Sequence, residues 1–286
     1  MDVGVSLPTQ IPDLKPRRAI EWAKKAEALG FSSIAVADRL QSNRYECLTA
    51  LAMAAGVTER VRLITTIMIS PLHTSAVYLA KQAATIDHVS NGRLTLGLAV
   101  GARADDYELS GANFHRRGRD LDRQIATMRS VWAGEKGVGP TPVQDGGPDI
   151  LLGGSTPAVF ERVARNDGWI AGAGGGAEGF RRGKEQILEA WTKAGRTGTQ
   201  RFIAVGHFAL GPTAREDALR VLTYSYGPER AESMLGGVPM TTEAVAELLE
   251  SFANEGCDEV ILAANSQELE QLDFFAEAVR QSKARA

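Results

Sequence analysis

Cysteine is almost missing from this chain: Cys47 and Cys257 are the only two in 286 residues, and they lie far apart. That excludes a disulfide framework and leads us to expect a reducing, cytoplasmic setting. A basic excess is missing too. The 32 Lys and Arg face 35 acids, for a net charge of −3, which argues against a nucleic-acid binder held by phosphate neutralisation. No apolar run approaches the roughly 20 residues a membrane helix needs. The opening MDVGVSLP reads as a strand rather than a charged-then-apolar leader, so neither nucleic acid nor membrane is expected as a partner. His73, His88, His115 and His207 stand at no metal-ligand spacing and no H-E-x-x-H occurs, so no metal site is expected. Nor is there a G-x-S-x-G elbow or an acid pair that stands out as a hydrolytic couple.

What is present is 44% hydrophobic sequence, enough for a large core in one big domain or two small ones. Its grammar is clearest from Arg60 to Gly101, which reads strand, polar loop, helix, turn, strand. Both strands are almost continuously apolar, as in parallel sheets covered on both faces. The helix places Ala76, Leu79, Ala80, Ala83 and Ile86 on one stripe. Ser90-Asn91-Gly92 then supplies the turn. Further strands are expected at Val3–Leu7, Phe31–Ala37, Ile150–Leu152, Trp169–Ala171, Phe202–Leu210 and Asp258–Ala263. A long polar loop follows Val100. An irregular excursion is expected at about 134–148 and a helical insertion at about 228–254. Strands alternating with helices in this way predict a single-domain α/β fold over residues 1–286, a (β/α)8 TIM barrel, with a doubly wound open sheet as the alternative. In a barrel the chemistry sits on the loops after the strands, which here begin near Pro8, Asp38, Ser70, Gly101, Gly153, Gly172, Gly211 and Ala264.

Leu151-Leu152-Gly153-Gly154-Ser155-Thr156-Pro157 joins a strand to a Pro-started helix. Bare amides at a helix start attract anions, although a capped βα turn explains the same residues. Gly174, Gly176 and Gly179 match G-x-G-x-x-G, but the next strand, Phe202–Leu210, carries none of the acid a dinucleotide site needs, so this segment reads as a loop over the mouth. His73 follows the third strand at the functional end. His207 reads as a wall residue that could face the mouth, and Asp87 with Arg93 as an ion pair bracing a turn. With no hydrolytic set in view, the chain looks built to hold a cofactor that does the hard chemistry.

AEALGFSSIAVAD, LITTIMISP, AKQAATIDHVSNGRLTLGLAVG, LLGGSTP and ARNDGWI, in order between Val3 and Ile170, resemble the bacterial luciferase-like family of flavin- or deazaflavin-dependent oxidoreductases. The resemblance implies a TIM barrel, a homodimer, and FMN or coenzyme F420 at the mouth. It implies a non-proline cis peptide at Thr66–Ile67 beneath the flavin ring, with Ala99, Val100 and Gly101 beside it. Gly153, Gly154 and Ser155 would hold the cofactor phosphate, and Leu7 and Asp38 would complete the surroundings. Two positions depart from many relatives: Arg39 follows Asp38 where they have His, and Ala102 follows Gly101 where they often have an acid. The acid–base roles of sugar-phosphate-oxidising F420 members are therefore not carried over.

The expected function is a monooxygenase using reduced FMN, supplied by a separate flavin reductase, and O2 on a small organic substrate. Arg39, His73 and Arg103 are its candidate catalytic residues. The alternatives are an F420-dependent reductase or dehydrogenase, whose acidic tail could use Arg116, Arg117, Arg119, Arg181 and Arg182, and a flavin-binding protein without turnover.

Overall fold

Apolar strands need cover on both faces, and here the sheet obtains it by closing on itself inside a ring of helices. The structure, a computed structural model, describes residues 1–285. The strands β1 (Asp2–Ser6), β2 (Ser33–Val36), β3 (Arg62–Thr65), β4 (Met68–Ile69), β5 (Leu94–Ala99), β6 (Asp149–Gly153), β7 (Gly168–Gly172), β8 (Arg201–Phe208) and β9 (Glu259–Ala264) are all parallel. Their order is β3-β2-β1-β9-β8-β7-β6-β5-β4, and a β3–β5 pairing closes the sheet. β3 and β4 are two halves of one stave, so the barrel has eight staves and the open-sheet alternative is excluded.

The helices are α1 (Arg18–Ala28), α2 (Cys47–Ala55), α3 (Ala76–Val89), α4 (Ala104–Ser110), α5 (Arg117–Trp132), α6 (Pro157–Val163), α7 (Gly176–Lys193), α8 (Ala214–Tyr226), α9 (Pro228–Leu235), α10 (Thr242–Asn254) and α11 (Glu270–Arg285). Their starts follow the sequence chemistry: Glu46, Ser75 and Thr241 cap α2, α3 and α10 by accepting backbone N–H bonds. Ala35, Ile64, Leu151, Ile170, Ile203 and Ile261 fill the barrel interior, while a larger apolar layer lies between the staves and the helix ring.

Three local expectations need correction. The polar loop after β5 contains α4, whose first turn holds Asp105 and Asp106, acids that suit a helix N-terminus. The helical insertion expected over 228–254 divides. α9 packs on α8 in a small core of its own, whereas Val245, Leu249 and Phe252 of α10 join the main core. The helical insertion that stands apart from the main core is therefore α8–α9. Asp87 and Arg93 do not pair. Buried Asp87 accepts from Val143 N (2.8 Å) and Gln144 Nε2 (2.6 Å), tying down the irregular excursion, while Arg93 donates to Val61 O (2.7 Å), Thr58 O (2.9 Å) and Ser90 O (2.7 Å). Each is satisfied by groups distant in sequence, mostly backbone, which spacing cannot show.

At the end where the strands begin, Glu259 is fully buried. It accepts from Ser32 Oγ (2.5 Å), Ser33 Oγ (2.6 Å), Arg62 Nη2 (3.4 Å) and Arg201 Nη2. This network ties together the first residues of four staves, on the face that serves barrel stability rather than chemistry.

Candidate active site at the barrel mouth

The third stave is irregular where it reaches the functional end. Below, Leu63 pairs with Leu94, an offset of 31 (94 − 63); above, Met68 pairs with Leu98, an offset of 30 (98 − 68). One extra residue is thus accommodated between β3 and β4, a bulge that re-aims the chain. The cis Thr66–Ile67 peptide lies within it, at the bond that the family resemblance implied. Neighbours fix both sides: Thr66 N donates to Val36 O (2.7 Å), Asp38 N to Ile67 O (3.2 Å), and Ile69 N to Asp38 Oδ2 (3.0 Å). Asp38 therefore acts first as a brace for the bulge.

Above Thr66 opens a cavity of about 490 Å³, within the roughly 300–1,000 Å³ usual for cofactor and ligand sites. Val205, Leu262 and Ala263 give it apolar walls, and Met234, Val238 and Leu248 from the α9–α10 region roof it. Ser6, Gln10, Thr66 and His207 bring polar atoms to the same space. Apolar walls with a few convergent polar groups fit a flat heteroaromatic ring. His207 Nδ1 faces Asn265 Oδ1 at 2.9 Å. With the Asn265 amide oriented so that its oxygen, which only accepts, faces the ring, Nδ1 carries the proton and Nε2 is the ring's proton acceptor. Burial lowers the His207 pKa, outweighing the raising effect of the Asn265 bond, and the nearby Arg44 charge lowers it further. The imidazole is neutral at neutral pH. Asn265 is fully buried, and its Nδ2 has no hydrogen-bond partner among the described residues.

The other expected site residues fall in several places. Arg39 and Arg103 line a second hollow beside the mouth. Arg39 Nη2 is held by Asp105 at 2.9 Å, and Arg103 Nη2 donates to Ser225 O at 2.8 Å. His73 Nε2 stands 3.9 Å from Asp38 Oδ2, and Gln124 Nε2 grips its carbonyl at 2.6 Å. Ala99 ends β5; Val100 accepts from Tyr107 Oη at 2.5 Å; Gly101, with φ +66°, packs near Ile69 beside Asp38. Leu7 is fully buried in the outer core. Gly153 is buried behind Ile67, whereas Gly154 (φ +124°) and Ser155 are exposed ahead of α6. The glycine-rich segment expected as a loop is a short 3₁₀ turn running into α7, and Gly172 and Gly174 border the mouth. Thr66 is thus the expected residue that opens directly onto the main cavity.

Sequence reading did not select Gln10, Arg44, Tyr226 or Asn265 and left His207 as a wall residue. His207 had a signal, its place near the end of a strand. Arg44 and Tyr226 had none, because they meet only through the α8–α9 insertion. Among the described residues no cluster of metal-ligating side chains forms, and no helix is long and apolar enough to cross a membrane.

A sequence profile described as luciferase-like monooxygenase matches residues 1–271. An F420-dependent glucose-6-phosphate dehydrogenase of Mycobacterium avium is 28% identical over 197 residues, covering 61% of this chain and 58% of that enzyme. The chain spans less than two thirds of the length of the curated relatives it matches. Monooxygenase RslO1 of Streptomyces bottropensis superposes with a TM-score of 0.79 at 20% identity, over 99% of this chain and 100% of that one. The FMN complex of the oxygenating constituent of 3,6-diketocamphane monooxygenase from Pseudomonas putida gives 0.76 at 15% identity, over 100% and 98%. At such identities these two structures speak to fold alone. The profile match over nearly the whole barrel, on a chain with this mouth, places the protein in the luciferase-like monooxygenase family.

Proposed function

We propose that the protein is an FMN-dependent monooxygenase acting on a small organic substrate held at the barrel mouth, with reduced FMN supplied by a separate reductase. The observation that carries FMN over F420 is the state of the rim. Gly154 and Ser155 offer exposed backbone beside a helix start, which suits one phosphate. Of the five arginines named for a long acidic tail, four already have partners: Arg181 with Glu185, Arg182 with Glu178, Arg116 with Asp120, and Arg117 over the Phe114 ring. Arg119 stays exposed.

Bound reduced FMN would supply the electrons for O2 activation, one oxygen atom entering the substrate and the other leaving as water. Around it, Val205, Leu262, Val238 and Met234 exclude bulk water. Thr66 and Ile67 would support the ring, and Gly153, Gly154 and Ser155 would hold its phosphate. His207 Nε2 is placed to take or return a proton at the substrate. Arg39, pinned by Asp105, keeps the loop after β2 in place.

F420-dependent hydride transfer is the second reading, supported by the mycobacterial relative's chemistry and by a neutral His207 able to accept an alcohol proton. Equilibrium titration followed by fluorescence separates the two. Micromolar FMN binding, weaker riboflavin binding and O2 consumption with reduced FMN are expected. Micromolar F420 binding with none for FMN overturns the proposal.

A further inference from the structure

Beside the mouth lies a more open hollow of about 660 Å³, built by the loop after β2, the start of α4 and the C-terminal end of α8. Three arginines enter it. Arg39 is neutralised, with Asp105 at 2.9 Å and Asp106 at 3.9 Å. Arg44 and Arg103 are not. Arg44 Nη2 donates to Ser225 Oγ and Arg103 Nη2 to Ser225 O, both at 2.8 Å, and neither has a salt bridge among the described residues. Arg44 Nε is buried without a hydrogen-bond partner. Burial lowers the Arg44 pKa, against the raising effects of Tyr226 and Tyr224, and the charges of Arg39 and Arg103 add smaller lowering effects. Two guanidinium groups thus share one serine, with a buried donor left unsatisfied. Such a group is costly until something accepts from it, and a planar N–H fork matches an oxyanion. Tyr224 Oη accepts from Asn43 N at 2.8 Å, so its own proton is still available to donate.

The hollow communicates with the redox site. Arg44 and Tyr226 line both spaces, and the Tyr226 ring stands edge-on to His207 with centroids 6.2 Å apart. An anion held by Arg44 is therefore at the border of the mouth. We propose that Arg44 and Arg103 form an oxyanion subsite that fixes the carboxylate or phosphate end of the substrate while its organic portion lies in the mouth. The proposal rests on the mouth being the redox site.

Calorimetric titration of the purified chain, with and without saturating FMN, tests it using phenyl phosphate, benzoate and, as a neutral control, benzamide. The anions should bind more tightly than benzamide, and added salt should weaken them. Preference between phenyl phosphate and benzoate distinguishes a phosphate from a carboxylate substrate. Arg44→Gln and Arg103→Gln should each lower anion affinity about tenfold or more, and Arg103→Gln, whose side chain does not line the main cavity, should leave FMN binding unchanged. If Arg44→Gln does not fold, Arg103→Gln decides. Variants that bind the anions like wild type overturn the proposal. So does loss of FMN or F420 affinity in Arg103→Gln, which would assign the hollow to the cofactor. Anion binding that depends on these arginines in a chain that binds neither flavin would leave the subsite standing and remove the redox reading. FMN binding with no preference for anions over benzamide would remove the subsite alone.

Discussion

Ile67 Cδ1 occupies the space that a β-carbon on Gly153 would need. The bulge in the third stave and the bare end of β6 are therefore complementary parts: the first pushes a side chain inward, and the second leaves room for it. Gly153→Ala should displace Ile67 and the loop that follows. We expect a loss of about 1–3 kcal/mol in stability from overpacking, together with weaker flavin binding. Urea unfolding and FMN titration measure the two effects. An alanine tolerated in both would show that the bulge and the rim are not coupled.

Charge at the rim is better tested at Ser155 than at Gly154. Gly154 has φ +124°, and a β-carbon there would meet Val159 Cγ2 at 3.0 Å, so any side chain strains the loop before its charge matters. Ser155 is exposed. Ser155→Asp should weaken FMN about tenfold or more, through one charge repulsion where a phosphate would sit, and leave riboflavin binding unchanged. Equal loss for both ligands would remove the phosphate from this loop.

The eight-stave plan was legible because apolar strands and striped helices obey local periods, and the residues from Leu63 to Gly101 carry both. The cis bond was legible only through the family likeness, since nothing in Thr66 or Ile67 themselves requires it. The split of the third stave, the extent of the helical insertion and the partners of Asp87 and Arg93 were not legible. They depend on register and on backbone groups brought in from Val143, Gln144 and Val61, which no local pattern encodes. The same limit hid Arg44, which acquires its meaning from Ser225 and Tyr226 on α8.

Glu259 lies at the opposite end from the mouth, and removing it should separate folding from function. Glu259→Ala deletes the common acceptor of Ser32, Ser33, Arg62 and Arg201. Breaking a buried ion pair costs about 3–5 kcal/mol, and we expect about 3 kcal/mol here because both arginines can turn partly to solvent. The urea midpoint should fall while FMN affinity at permissive urea stays the same. A parallel fall in affinity would mean that the two ends of the barrel are coupled.

His207 makes stability depend on pH in a defined direction. Its ordinary pKa is 6.5, and burial lowers it in the folded protein. Between the lowered folded value and 6.5, the unfolded chain binds more protons than the folded one, so stability rises with pH across that window. The contribution is fully present above about pH 6.5 and is lost as pH falls through the folded value. In His207→Gln this component should vanish. Plotted against pH, the urea midpoint of the variant should run flatter than that of wild type below about pH 6.5 and parallel to it above. Parallel curves throughout would mean that the imidazole takes up its proton as readily in the folded mouth as in water, and His207 could then not serve there as a neutral proton acceptor.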